Sequence, residues 1–342
     1  MLKKLSFAIL LLLTAIVAGG LFLPHQFHVE RSITVDRPAS VVFTLLNNFQ
    51  AFNEWSPWAA RDPEATYEYS GPQSGPGARM SWKGDPRTVG EGWQQIVGSV
   101  PGRRIDIQMD FGAQGRAQSY FDLSEDPQGT LLTWGFETDV SEGSGVLGTL
   151  VGKYFGLFLD RWVGADYEQG LQGFKQFAES LPTADFADSD IEVLEAQAVD
   201  VLLVSGNSSN ESGDIATALA EAFREISAFM QAEGINMAGQ PMAITRGLGD
   251  AGYQFDAAIP IDRLPVETSG NVRAGQSPSG KAVRYTFVGP YDGMLSAYEK
   301  LASYMAAHGL KEGSLSWEHY ISDPGNTPAD DLITHIYYLV GE

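Results

Sequence analysis

From Val146 to Leu181 the chain carries an apolar stripe at helical spacing, made by Leu147, Leu150, Tyr154, Phe158 and Trp162, then Tyr167, Leu171, Phe174 and Phe177. A helix with so long a stripe needs a surface to cover it. The preceding residues offer a series of short strands. Arg104 to Phe111 shows their pattern best, with Ile105, Ile107, Met109 and Phe111 alternating with Arg104, Asp106, Gln108 and Asp110. Such a strand belongs to an antiparallel sheet with one dry face and one wet one. Further strands are expected at Phe27 to Val35, Glu68 to Ser70, Ala78 to Lys83, Gly92 to Val100, Arg116 to Leu123 and Leu131 to Thr138. A helix opened by Pro38 carries Val41, Val42, Leu45 and Leu46, and Gly164 is expected to bend the long helix.

Five short motifs sit on these elements: Trp55-Ser56-Pro57-Trp58, Met80-Ser81-Trp82-Lys83-Gly84, Pro101-Gly102-Arg103-Arg104, Gly129-Thr130-Leu131-Leu132-Thr133-Trp134 and Tyr167-Glu168-Gln169-Gly170-Leu171. With the element order, they make residues 27–182 resemble the START-like helix-grip fold of the SRPBCC (polyketide cyclase/dehydrase) group. The resemblance implies a curved sheet wrapped around the long helix and a deep apolar cavity for lipids, sterols or polyketides. No catalytic residue carries over from so varied a group. Trp82 and Trp134 are the candidates for lining that cavity, while Trp55 and Trp58 are expected to close the helical corner. The alternative for all of these rings is the plain core of a sheet.

In the second half, Ser316-Trp317-Glu318-His319-Tyr320-Ile321 places a carboxylate inside a strand. Period-two geometry sends Glu318 and Tyr320 to one face and Trp317, His319 and Ile321 to the other. Asp323-Pro324 ends the ladder, and Leu332 to Val340 is a closing strand. Upstream, Gly289-Pro290-Tyr291-Asp292 breaks the strand Ala282 to Val288, and a helix follows with Met294, Leu295, Tyr298, Leu301 and Met305 on one stripe.

Gly289, Pro290, Tyr291, Trp317, Glu318, Tyr320, Asp323, Pro324 and Thr334 carry a resemblance to the GyrI-like effector-binding domain, also the ligand sensor of some AraC-type and MerR-type regulators, over residues 191–342. It implies an α+β domain of two repeated strand-helix-strand-strand units around a pocket. The first unit is then Ile191 to Val204, a helix Asp214 to Glu233 with Ile215, Leu219, Phe223, Ile226 and Met230 inward, Met242 to Arg246, and Tyr253 to Ile261. Members bind apolar, often cationic or planar molecules, with a Glu at the position of Glu318. Some stand-alone members are hydrolases in which a Glu and a Tyr act together. The resemblance therefore implies a ligand-binding set of Glu318, Tyr320, Tyr253, Tyr291, Tyr298 and Trp317, with Glu318 and Tyr320 as catalytic candidates. An edge-strand carboxylate facing water is the bland alternative for Glu318.

At 342 residues and 44% hydrophobic content the chain is long enough for two cored domains. A formal charge of -21 argues against nucleic acid as a partner, and no helix-turn-helix segment is found. The absence of Cys excludes disulfides and thiolate chemistry, and the five His lack the spacing of a zincin helix, so neither metal nor cofactor is expected. Ser205 to Asn210 is read as a polar loop without P-loop spacing, and residues 183–190, with acidic Asp185, Asp188 and Asp190, as the interdomain linker. Leu5 to Leu23, after Lys3 and Lys4, reads as a single-pass inner-membrane anchor within residues 1–24, since about 1.5 Å of rise per residue just spans about 30 Å of hydrocarbon. A cleaved signal peptide competes with it.

The expected protein is thus a membrane-anchored, non-enzymatic binder of apolar or amphiphilic small molecules or lipids, its domains outside the cytoplasm. A hydrolase centred on Glu318 with a Tyr donor is the second expectation. An envelope interaction protein with vestigial cavities is the third. The oligomeric state stays open.

Overall fold

The computed structural model describes residues 2–112, 115–142 and 145–341; the side chains of residues 2–6, 8, 9, 12 and 13 fall outside the description. The chain divides into two compact units, Met1–Asp185 and Phe186–Glu342. Both are α+β.

The first unit runs α1 (Leu2–Phe22), β1 (Gln26–Val35), α2 (Ala39–Leu46), α3 (Phe52–Trp55), α4 (Pro57–Arg61), β2 (Thr66–Ser70), β3 (Arg79–Lys83), β4 (Glu91–Val100), β5 (Arg104–Asp110), β6 (Arg116–Asp126), β7 (Gly129–Asp139), α5 (Gly145–Gly156) and α6 (Leu159–Glu179). Its strands form one antiparallel sheet in the order β1-β7-β6-β5-β4-β3-β2. The inward rows of β5, β6 and β7, including Ile105 and Ile107, are buried, as their alternation requires. Pro57 opens α4, whose N-cap Ser56 accepts from the Trp58 N–H at 3.3 Å.

The long helix is broken, and not at Gly164. α5 ends at Gly156, where a Cβ would come within 1.9 Å of the Phe27 ring. Gly164 lies inside α6, where its missing side chain leaves room for the Arg31 guanidinium, 2.2 Å from where a Cβ would sit. Arg31 uses that room to pair with Asp160 at 2.9 Å and Glu168 at 2.7 Å. The expected inward stripe is buried only in its second half, through Tyr167, Leu171 and Phe174, whereas Leu147, Phe158 and Trp162 are exposed.

Among the described residues no helix is long and apolar enough to cross a membrane. This overturns the expected anchor at Leu5 to Leu23 and the single-pass inner-membrane location built on it. Of that segment, the side chains of residues 5, 6, 8, 9, 12 and 13 lie outside the described residues. The physical reason visible at its other end is packing against α5. Cβ atoms at Gly19 and Gly20 would strike Tyr154 and Leu150, the Tyr154 hydroxyl donates to the Ile16 carbonyl at 2.6 Å, and Lys153 donates to the Gly20 carbonyl at 3.2 Å. The glycine pair is therefore a contact face within the first unit.

The second unit runs β8 (Ile191–Ala196), β9 (Asp200–Ser208), α7 (Ser212–Glu233), β10 (Met242–Gly249), β11 (Gly252–Pro260), β12 (Arg273–Gln276), β13 (Gly280–Val288), α8 (Met294–Ala307), β14 (Glu312–Tyr320) and β15 (Ile333–Val340). The sheet order is β12-β9-β11-β10-β14-β15-β13-β8. Two repeats, β9-α7-β10-β11 and β13-α8-β14-β15, meet where β10 pairs with β14 from Met242–His319 to Thr245–Ser316. α7 covers Leu202, Phe255 and Ile259, and α8 covers Val283, Tyr285 and Ile336. α7 ends on Gly234 in the left-handed conformation at φ 63°, where a side chain would be strained.

Three local expectations are corrected. Ile191 to Val204 is two strands, β8 and β9, lying near opposite edges of the sheet. Ser205 to Ser208 belongs to β9, because Phe255 packs over Gly206 and Ser205 donates to the buried Asp256. Leu295 is 72% exposed, so the inward stripe of α8 runs through Met294, Tyr298, Leu301 and Met305.

Candidate functional site

Glu318 projects from β14 on the face that carries the helices, between Ala243 of β10 and Ile336 of β15. Period-two geometry brings Tyr320 onto the same face, and its hydroxyl donates to Glu318 Oε2 at 2.7 Å. Tyr298 reaches across from α8 and donates to Oε1 through a short hydrogen bond. Glu318, Tyr298 and Tyr320 are all half-buried residues.

Loss of water around the carboxylate raises the Glu318 pKa above its ordinary value, and the bonds from Tyr298 and Tyr320 pull it partly back. Burial, followed by the charge of Glu318, holds both phenols well above the usual tyrosine range. Tyr253 is pushed up to about 12, mainly by burial. These hydroxyls therefore stay protonated and act as neutral donors. No Lys or Arg pairs with Glu318 among the described residues.

Tyr253, on β11, stacks on Phe255 at 5.4 Å and sets its hydroxyl 3.4 Å from Thr245 Oγ1. The Tyr320 ring stands edge-on to Phe223 of α7 at 6.1 Å and to Tyr291 at 5.9 Å. Tyr291 opens the short 3-10 turn Tyr291–Gly293 and is 40% exposed at the rim. The sequence-named residues Glu318, Tyr320, Tyr298, Tyr253 and Tyr291 are thus brought together.

Trp317 is not brought with them. It lies on the opposite face of the sheet, buried and stacked on Tyr337 at 4.8 Å, as alternation along β14 demands. Asp323 closes its own turn by accepting from Gly325 and Asn326. Sequence reasoning missed Ala243, the cross-strand partner of Glu318, and Phe223, which it assigned only to the core.

In the first unit Trp134 is 3% exposed and lies flat on Tyr167 at 3.9 Å. Trp55, Trp58 and Phe121 surround it at 5.2 to 5.7 Å. Its Nε1 donates to Ser119 Oγ at 3.0 Å, and Ser119 donates to the Gly135 carbonyl. This is a packed ring cluster. Trp82 sits away from it, covering Gly92, donating to the Val89 carbonyl at 3.1 Å and meeting Phe111 edge-on at 5.8 Å. No group of three or more His, Asp or Glu among the described residues is placed to hold a metal.

The comparisons agree with this division. Residues 26–179 match the family described as polyketide cyclase/dehydrase and lipid transport, and residues 189–340 match the GyrI-like small molecule binding domain. No curated protein matches the chain at a significant level. Among solved structures, the EcmrR C-terminal domain is 17% identical over 45% of this chain and 98% of that one, with a TM-score of 0.40. A hydrolase from Listeria innocua is 14% identical over 44% of this chain and 91% of that one, at 0.33. The di-domain ARO/CYC StfQ of the steffimycin biosynthetic pathway is 18% identical over 45% of this chain and 51% of that one, at 0.34. The chain carries a polyketide cyclase/dehydrase-type domain followed by a GyrI-like small-molecule-binding domain.

Proposed function

We propose that the second unit binds a small amphiphilic cation, with the positive group against Glu318 and the apolar body against Tyr253, Tyr320 and Phe223. The observation that carries this reading is a largely desolvated carboxylate that, among the described residues, accepts only from neutral phenols. Such a charge gains most from an incoming cation, and tyrosine rings favour a cation at their faces. The family description supports small-molecule binding and leaves the charge of the ligand to this geometry.

Pentyltrimethylammonium is a suitable probe, titrated into the full chain by calorimetry. Glu318→Gln should weaken it about tenfold or more, the worth of one charge-assisted contact. Equal affinity in the variant would sink the proposal. A second reading is hydrolysis, favoured by the raised pKa of Glu318 beside two phenol donors, which suits a general base. Turnover of an apolar ester by the wild type, abolished in Glu318→Gln with binding retained, would establish that instead.

A further inference from the structure

Thr334 is completely buried on β15, and its Oγ1 is a buried hydroxyl oxygen with no hydrogen-bond partner among the described residues. An orphaned polar group of this kind is uncommon, since leaving it unpaired costs stability. Its position is informative. Thr334 is the direct cross-strand partner of Tyr320 on one side and of Phe287 on the other. It therefore shares the face of Glu318, one step further along the sheet. Above Phe287 runs the turn that holds Tyr291, where added Cβ atoms at Gly289 and Gly293 would lie 3.2 and 3.1 Å from the Phe287 ring. Thr334 thus lies between the Tyr320 ring and the floor of that turn.

Resting on the binding reading above, we propose that Thr334 is a second polar anchor of the Glu318 site and fixes the ligand class as a cation that also carries a neutral oxygen. Glu318 pairs with Ile336 and Tyr320 pairs with Thr334, so Glu318 and Thr334 are diagonal neighbours, which puts their backbones about 7–8 Å apart. The two functional groups of the ligand are separated by a comparable span. A hydroxyl, ether or carbonyl oxygen at that distance satisfies the Thr334 hydroxyl, while the chain between them crosses the Tyr320 ring.

The test uses pentyltrimethylammonium and its ω-hydroxyl derivative, whose extended chain places oxygen and nitrogen about that far apart. Wild-type full-length protein should bind the hydroxyl derivative about fivefold more tightly, as expected for one buried hydrogen bond. Thr334→Val should erase that preference and, by removing the unpaired hydroxyl, raise the thermal midpoint rather than lower it, and Thr334→Ser should restore the preference. No preference in the wild type, or a preference that survives in Thr334→Val, overturns the second anchor alone. If neither probe binds the wild type, the cation-binding reading falls and this inference falls with it.

Discussion

Replacing Trp134 with Ala measures whether the first unit is solid at its centre. A buried indole removes up to about 250 Å² from water, worth about 6 kcal/mol at 25 cal/mol per Å². Alanine keeps a small part of that, while the stacked and edge-on contacts to Tyr167, Trp55, Trp58 and Phe121 disappear. The substitution should cost about 4–5 kcal/mol, within the range for large-to-small changes at well-packed aromatic sites. An indole already facing an open cavity would lose about half as much. Because two units need not unfold together, amide hydrogen exchange at β6 and β7 under increasing urea is the appropriate assay. Trp134→Phe is the control, since it keeps one aromatic ring while removing the donor to Ser119 and part of the indole volume, at a cost of about 1–3 kcal/mol. A loss below about 2 kcal/mol for the alanine variant would refute the packed-core argument.

Gly135→Ala should destabilise the first unit by about 1–3 kcal/mol, because a Cβ there would sit 2.0 Å from the Tyr120 ring that covers it. Combining it with Tyr120→Ala should recover part of that loss in a urea double-mutant cycle. The Glu318 carboxyl, raised in the folded state, contributes stability that is present below its ordinary pKa of 4.5 and lost as pH rises through the folded value. Glu318→Gln should remove that decline from a stability-versus-pH curve. His319 behaves oppositely: burial lowers it from 6.5 to about 4, so its contribution is present above 6.5 and lost as pH falls towards 4. His319→Gln should flatten the acid limb in the same measurement.

Much of the candidate site was legible because it is written in local periodicity. Alternation along β14 placed Glu318 with Tyr320, and the helical spacing of Met294, Tyr298 and Leu301 turned Tyr298 towards them. Alternation also removed Trp317 from the site, although the family motif had drawn it in. What no local rule shows is which strand lies alongside. Ala243 beside Glu318 and Thr334 beside Tyr320 follow from sheet order and register, and both pairings are between strands far apart in the chain or across a long turn. The first unit shows the same limit. The apolar stripe from Val146 to Leu181 has the spacing of one helix, but α5 stops at Gly156, where the Phe27 ring lies, and α6 starts again at Leu159. The apolar start of the chain reads as a membrane span by composition, whereas Gly19 and Gly20 pack against Leu150 and Tyr154, residues remote in sequence.

The pairing of β10 with β14 has a consequence during synthesis. β9, α7, β10 and β11 leave the ribosome as a contiguous block, and can pair and cover their core before β14 exists. Until then β10 is an open edge with Met242, Ala243 and Ile244 in its ladder, an invitation to pair with another nascent chain. Its rescue arrives late, on the strand that bears Glu318. Each translated copy must therefore bring a carboxylate to an apolar edge as the step that closes its sheet, and the donors on Tyr298 and Tyr320 have to arrive with it. Slow translation between β11 and β14 should therefore lengthen the interval in which this edge is open.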